Sequence, residues 1–115
     1  MDNCIFCKIA KGEIPTDFVY QDGEIVAFRD IKPAAPVHIL IVPKLHIDKL
    51  QDVTDNERNL LGKMLLVAKE IAEKEKIAES GYRIGINCGK ESGQDVFHLH
   101  FHLIGGWKKH GRRCL

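Results

Sequence analysis

Apolar and polar positions fall into blocks along the chain, and each block carries the period of one kind of element. Val37 to Val42 is apolar throughout except for His38 and is closed by Pro43, the pattern of a central strand covered on both faces. Asp17 to Gln21 and Glu24 to Asp30 read as strands around Asp22-Gly23, a short-hairpin signal. Further on the period becomes helical. Leu60, Met64, Val67 and Ile71 form one stripe, and Leu61, Leu65, Ala68 and Ala72 an adjacent one, together wide enough to cover a sheet. Thr54-x-x-Glu57 reads as the capping box that starts this helix. Leu66 falls outside the apolar face, which points to a partner subunit. Gly62 inside the helix costs about 1 kcal/mol against alanine, which implies close packing there. Tyr82 to Cys88 and His98 to Ile104 read as the last two strands, with a glycine-containing loop, Gly89 to Asp95, between them. Cys4 to Ala10 reads as one or two helical turns, stopped by Gly12 and Pro15.

These elements predict an α+β fold: about five strands in an antiparallel sheet, one long helix on one face, and a short N-terminal helix. With 115 residues and no internal repeat, residues 1–115 are expected to form a single domain. Lys and Arg nearly balance Asp and Glu, leaving a net charge of +1. That argues against a protein held to nucleic acid by counterion release. The chain opens Met1-Asp2-Asn3-Cys4 and has no apolar run near 18 residues, so neither a signal peptide nor a membrane span is expected. A cytoplasmic location follows as the expectation.

Four cysteines, Cys4, Cys7, Cys88 and Cys114, would allow two disulfides. In a reducing compartment a Cys-x-x-Cys pair more often serves metal or redox chemistry, and metal is the favoured reading of Cys4 and Cys7. Cys88 and Cys114 have no such spacing and read as bystanders.

The chemistry concentrates in Phe97 to Ile104. In a strand, Leu99, Phe101 and Leu103 share one face, and His98, His100 and His102 share the other, successive imidazoles standing ~7 Å apart at their Cα atoms. Two functions fit such a row. Imidazoles at i and i+2 can share one zinc that activates water. Alternatively, a neutral imidazole can attack phosphorus and form a covalent intermediate while its neighbours hold phosphate oxygens. The Gly89 to Gln94 loop just before the row offers backbone N–H groups to an anion, which suits phosphate better than a metal.

Gly93-Gln94-Asp95-Val96-Phe97-His98-Leu99-His100-Phe101-His102-Leu103-Ile104 resembles the signature of the histidine triad family. Ile5 to Ile9, Ala27 to Ile31 and the stretch from Pro36-Val37-His38 through Pro43-Lys44-Leu45-His46 are similar, in the same order, to its nucleotide-binding Hint branch. The resemblance implies a hydrolase of nucleoside 5′-phosphoramidates or related nucleotidyl bonds, acting on a purine mononucleotide such as AMP or GMP. In that reading His100 is the nucleophile, His102 holds phosphate oxygens and the leaving group, and His38 completes the polar surround. Asp30 would accept from the ribose hydroxyls. Phe6, Phe28 and Ile31 would form the apolar slot for the base, and Asn87, Gln94 and Val96 would contact ribose or phosphate. Asp95 departs from the serine of animal members: its carboxylate would repel phosphate or attract a cationic leaving amine. The resemblance also implies a homodimer and, as in bacterial members, a structural Zn²⁺ held by Cys4, Cys7, His46 and His98. In the plainer alternative, Cys4 and Cys7 are reduced thiols packing a short helix. A nucleotide-binding regulatory module with little or no turnover is the second functional reading.

Overall fold

Asp22 shapes the first hairpin. Its Oδ1 accepts the N–H groups of Glu24 and Ile25 at 2.7 and 2.9 Å, and its own N–H donates to the Ile25 carbonyl at 2.9 Å. Burial works to raise the Asp22 carboxyl, but these donors, the Tyr20 hydroxyl and the Lys63 ammonium together hold it well below the usual carboxylate range. The computed structural model describes residues 3–108, so Cys114 lies outside them. Its elements are α1 (Ile5–Ala10), β1 (Phe18–Gln21), β2 (Ile25–Arg29), β3 (Val37–Pro43), α2 (Arg58–Lys74), β4 (Tyr82–Gly85) and β5 (Phe101–Gly105). The five strands form one antiparallel sheet in the order β1-β2-β3-β5-β4, so β1 and β4 are its edges. Among the described residues no helix is long and apolar enough to cross a membrane.

The sheet has two differently dressed faces. Ile25, Ala27, Ile39, Ile41, Phe101 and Leu103 turn toward α2 and pack with its Met64, Val67, Ala68, Ile71 and Ala72. On the other face Val26, Phe28, Leu40 and Val42 pack with Phe6 and Ile9 of α1. The second face continues across the sheet in register as Phe28, Leu40, His102 and Gly85. A central β3 covered on both sides explains its unbroken apolar run. Phe101→Ala removes a fully buried ring beneath α2, and a loss of about 3–5 kcal/mol is expected. A lower urea midpoint with an unchanged slope is the measurement that checks it.

Several expectations shift in detail. The Thr54–Glu57 capping box is present, but it caps a 3₁₀ turn, Asp55–Glu57, that leads into α2. Leu65 lies 48% exposed and is no part of the buried face, and Leu66 protrudes at 66% exposure. A Cβ added at Gly62 would meet nothing within 4 Å, so the close packing expected there is absent. A close approach occurs instead at Gly105, whose added Cβ would lie 2.8 Å from Ile77 Cδ1. β4 ends at Gly85 rather than Cys88, and β5 begins at Phe101 rather than His98. The reason is local to Pro43. Proline has no N–H to give the ladder; its carbonyl is taken by the His98 ring, and Leu99 N–H turns to the Ile47 carbonyl at 2.6 Å.

Candidate active site and metal centre

Because the segment before β5 leaves the ladder, the three imidazoles do not form one uniform row. His98 is fully buried and faces the cysteines, His100 is buried beside Phe6, and His102 is only partly buried. Each ring has one nitrogen whose partner fixes the tautomer, directly or through a neighbouring ring, since a carbonyl only accepts and a backbone N–H only donates.

His98 donates its Nε2–H to the Pro43 carbonyl at 2.7 Å, which leaves Nδ1 as a lone pair directed at Cys4 Sγ (3.3 Å) and Cys7 Sγ (3.5 Å). His46 donates its Nε2–H to Asp48 Oδ1 at 2.6 Å, leaving its Nδ1 3.2 Å from Cys7 Sγ. The four ligand atoms lie within 4.8 Å of one another. Tetrahedral zinc bonds of about 2.3 Å to sulfur and 2.0–2.1 Å to nitrogen set sulfur–nitrogen separations near 3.5 Å, so these residues fit the ion. Asp48 and Pro43 supply the outer contacts that orient metal-binding imidazoles. Burial, with Cys4 beside it, pushes the Cys7 thiol up, and burial with the neighbouring His46 and His100 pushes the His98 ring down. Low solvation thus disfavours charge on either group, which a divalent cation reverses for the thiols. The motif forms locally: Cys4 is the N-cap of α1, its Sγ accepting Cys7 N–H at 3.3 Å.

The second cluster is wired differently. Ala34 N–H donates to His38 Nδ1 at 2.9 Å, so the His38 proton sits on Nε2. Nε2–H then donates to His102 Nδ1 at 2.9 Å, which puts the His102 proton on its own Nε2. Asp30 Oδ2 stands 3.5 Å from His38 Nε2. Asp30, His38 and His102 have metal-like spacing, but a cation on His38 Nε2 would leave a ring with no proton at all, since Nδ1 is already an acceptor. The zinc-sharing reading of the histidine row fails on the same count. His98 Nδ1 is turned to the cysteines, and His100 Nδ1–H donates to the His98 carbonyl at 2.7 Å.

That last bond leaves His100 Nε2 with a lone pair. The His100 ring meets Phe6 edge-on at 5.0 Å and His102 at 4.9 Å. Burial, reinforced by His100 and His38, pushes the His102 pKa below its ordinary value. His102 is therefore neutral in the folded protein where the unfolded chain takes up a proton, near pH 6.5 and just below. Its contribution to stability is present above that pH and is lost as pH falls. Urea midpoints are expected to drop from pH 7.5 to pH 5.5, and His102→Asn is expected to flatten that slope.

The remaining expected residues scatter. Phe6 and Phe28 meet edge-on at 5.6 Å, but Ile31 is 92% exposed and is not brought against them. Gln94 is buried with its amide committed to the loop: it donates to the Asp48 and Val96 carbonyls and accepts from Gly89 N–H. Asn87 donates to the Ser92 carbonyl at 2.7 Å. Asp95 is exposed, near enough to His102 to favour its protonated form, and Val96 is half-buried against the α1-side core. Cys88 is a free thiol. Asp48 went unnoticed in the sequence, although His46-x-Asp48 carries its signal; the Ala34 N–H and Pro43 carbonyl carry none.

The HIT domain matches residues 11–109. The chain is 50% identical over 105 residues to the purine nucleoside phosphoramidase of Escherichia coli K12, covering 91% of this chain and 88% of that one. It is 53% identical over 105 residues to protein HitA of Neisseria gonorrhoeae, covering 91% and 97%. The crystallised HIT family hydrolase of Legionella pneumophila superposes with a TM-score of 0.90 at 50% identity, covering 92% of this chain and 95% of its own. The HIT family hydrolase of Clostridium thermocellum superposes with a TM-score of 0.94 at 45% identity, covering 100% and 99%. A five-stranded antiparallel sheet, its two helices, the clustered histidines and these likenesses agree: the chain belongs to the HIT domain family.

Proposed function

We propose that this protein is a purine nucleotide-binding hydrolase that cleaves nucleoside 5′-phosphoramidates through a covalent nucleotidyl-histidine on His100. The observation that carries the reading is the His100 Nδ1–H bond to the His98 carbonyl, because it leaves Nε2 as a fixed, unprotonated nucleophile. His100 Nε2 forms a bond to phosphorus, and the P–N bond breaks with its electron pair going to nitrogen. That nitrogen, protonated from solvent, leaves as the neutral amine. The nucleotidyl ring carries one positive charge, shared between the P–N and N–H sides. Water then attacks phosphorus, the Nε2–P bond returns its electron pair to His100, and the water's proton is taken up by the released amine.

His102 assists as a hydrogen-bond donor. Its Nε2–H, fixed by the Ala34–His38–His102 chain, is available to a phosphoryl oxygen as charge develops there. Asp30 is the ribose acceptor, Phe6 and Phe28 flank the base, and Asn87, Asp95 and the Val96 backbone surround the phosphate. The purine preference is supported by the name of the Escherichia coli relative. Cys4, Cys7, His46 and His98 would hold Zn²⁺, which with all four ligands from the protein would supply a structural cross-link rather than a reactive position. The protein works in the cytoplasm as a homodimer; the open β4 edge and the exposed Leu65 and Leu66 of α2 support the association.

Rapidly quenched reactions with adenosine 5′-phosphoramidate test the covalent step. An AMP adduct mapping to the His100 peptide is expected by mass spectrometry. Turnover with no such adduct at any time would remove the intermediate, and AMP binding with no turnover would favour the regulatory-module reading.

A further inference from the structure

Gln94 is only 4% exposed, and a primary amide is kept away from water only where its hydrogen-bonding groups are matched. Its partners fix which way it points. Gly89 N–H donates to Oε1 at 2.7 Å, so Nε2 is turned the other way and donates to the carbonyls of Asp48 at 2.8 Å and Val96 at 3.1 Å. Two of these bonds are local to the loop. The third crosses 46 residues to the segment that carries His46, a ligand of the candidate metal centre. That segment is held by the centre itself: the His46 ring, its Nδ1 facing Cys7, closes back onto Asp48 Oδ1 at 2.6 Å. The next two carbonyls are both taken by the histidine-bearing stretch, Ile47 by Leu99 N–H at 2.6 Å and Asp48 by Gln94.

The stretch from Gln94 to His98 is therefore anchored at both ends. Gln94 is tied to the Asp48 carbonyl, and the His98 ring is tied to the Pro43 carbonyl and faces the cysteines. Between the anchors stand Asp95 and Val96, two of the proposed phosphate contacts. Upstream, Gln94 also grips Gly89: its side chain takes the Gly89 N–H, and its own N–H meets the Gly89 carbonyl at 3.3 Å. Gly89 and Gly93 have φ of +94° and +93°, so the loop has a tight shape that glycine adopts readily. The Gln94 amide joins that loop to the segment beside the metal centre. We propose that Gln94 is a positioning residue that couples the metal centre to phosphate binding. With the metal in place His46 and Asp48 are fixed, and Gln94 passes that order to Asp95 and Val96. Linkage is reciprocal, so a bound phosphate also holds the metal more firmly. Phe6 offers a separate route from the cysteines, but it leads to Phe28 on the base side, so dependence on the phosphate tells the two apart. This rests on the reading that the loop receives the phosphate.

Calorimetry on the zinc-loaded protein with AMP and with adenosine tests it, since the two ligands differ only in the phosphate. Gln94→Met keeps the reach of the side chain and removes all three bonds. It is expected to weaken AMP binding by about tenfold and adenosine binding by less than about twofold. Gln94→Asn, whose amide falls one methylene short, is expected to shift the AMP-to-adenosine ratio the same way, and it gives the reading where the methionine variant does not fold. At the metal end, zinc loss into excess EDTA is followed with each ligand at equal saturation. In wild type AMP is expected to slow that loss at least about threefold more than adenosine does, and Gln94→Met is expected to erase the difference. Equal losses of AMP and adenosine binding would make Gln94 a purely structural residue and overturn the coupling. Unchanged AMP binding, a zinc loss rate blind to the phosphate, or a wild type with no zinc to lose would overturn it too. A wild type that bound AMP no more tightly than adenosine would sink the phosphate reading of the loop itself. None of these readouts needs turnover, so the Gln94 effects in a protein that bound AMP without hydrolysing it would still support the coupling.

Discussion

His100→Ala is expected to lower kcat/KM for adenosine 5′-phosphoramidate by about 10³- to 10⁵-fold, while the dissociation constant for AMP changes by less than about fivefold. The size follows from the role. Removing a nucleophile abolishes the covalent route and leaves only the assistance of the surrounding groups, which in other enzymes sustains a small residual rate. The split between turnover and binding follows from the geometry. One nitrogen of His100 is already spent on the His98 carbonyl, and the proposed ribose and base contacts, Asp30, Phe6 and Phe28, all keep their side chains, the substitution removing only the edge-on contact of the His100 ring with Phe6. His38→Ala acts a step further away. It removes the group that holds the His102 tautomer, so a smaller loss of about 10- to 100-fold is expected, concentrated in kcat. Steady-state kinetics on the two variants, with AMP binding by calorimetry, read both effects. Equal turnover by wild type and His100→Ala would end the nucleophile assignment.

The second large effect concerns stability. Cys7→Ser is expected to abolish the proposed zinc binding and lower the melting temperature by more than about 10 °C. Cys7 is buried, and its Sγ faces both His46 Nδ1 and His98 Nδ1. Without the ion, two inward lone pairs and a second thiol are left crowded together with no cation to join them. A loss on the order of 3–5 kcal/mol is expected for breaking such a buried charged cluster, because metal binding is linked to folding. For a chain of this size that is a shift of ten degrees or more. Phe6 lies between the two cysteines in α1 and touches Phe28, His98 and His100, so loosening α1 also slackens the base slot. AMP affinity is therefore expected to fall along with stability. Metal analysis should give one zinc per chain in wild type, and chelation should reproduce the melting shift of Cys7→Ser. A chelated protein that melts unchanged would reduce the cluster to packed thiols. A chelator that stopped turnover without touching the melt would instead return the zinc-water mechanism.

Much of this was legible in the residues because the signals are local. Asp22-Gly23 fixes a hairpin through its own side chain, and the apolar run of Val37 to Val42 marks the central strand with no knowledge of its neighbours. The capping box at Thr54 and Glu57 formed where its spacing put it. The misses came where distant groups intervene. His98 to His100 alternate as a strand should, yet Pro43 on the facing strand cannot extend the ladder, so β5 starts at Phe101. Leu65 fits the apolar stripe by period but falls beyond the edge of what the sheet covers. No local signal in the sequence marks the three backbone partners, one of them on Asp48, that hold the Gln94 amide.

By itself, the sequence determined which donor atoms this protein owns: two thiols three residues apart, imidazoles at alternate positions, and one more imidazole inside an apolar strand. Residue type and spacing are enough for that, because side-chain chemistry and strand or helix period are properties of short segments. Only the tertiary structure decided which nitrogen of each ring is left with a lone pair. That choice is made by the Pro43 carbonyl for His98, the Ala34 N–H for His38 and through it His102, and the His98 carbonyl for His100. A buried imidazole takes the tautomer its partners demand, since an unmatched polar atom away from water is costly, and those partners assemble only when the chain has folded.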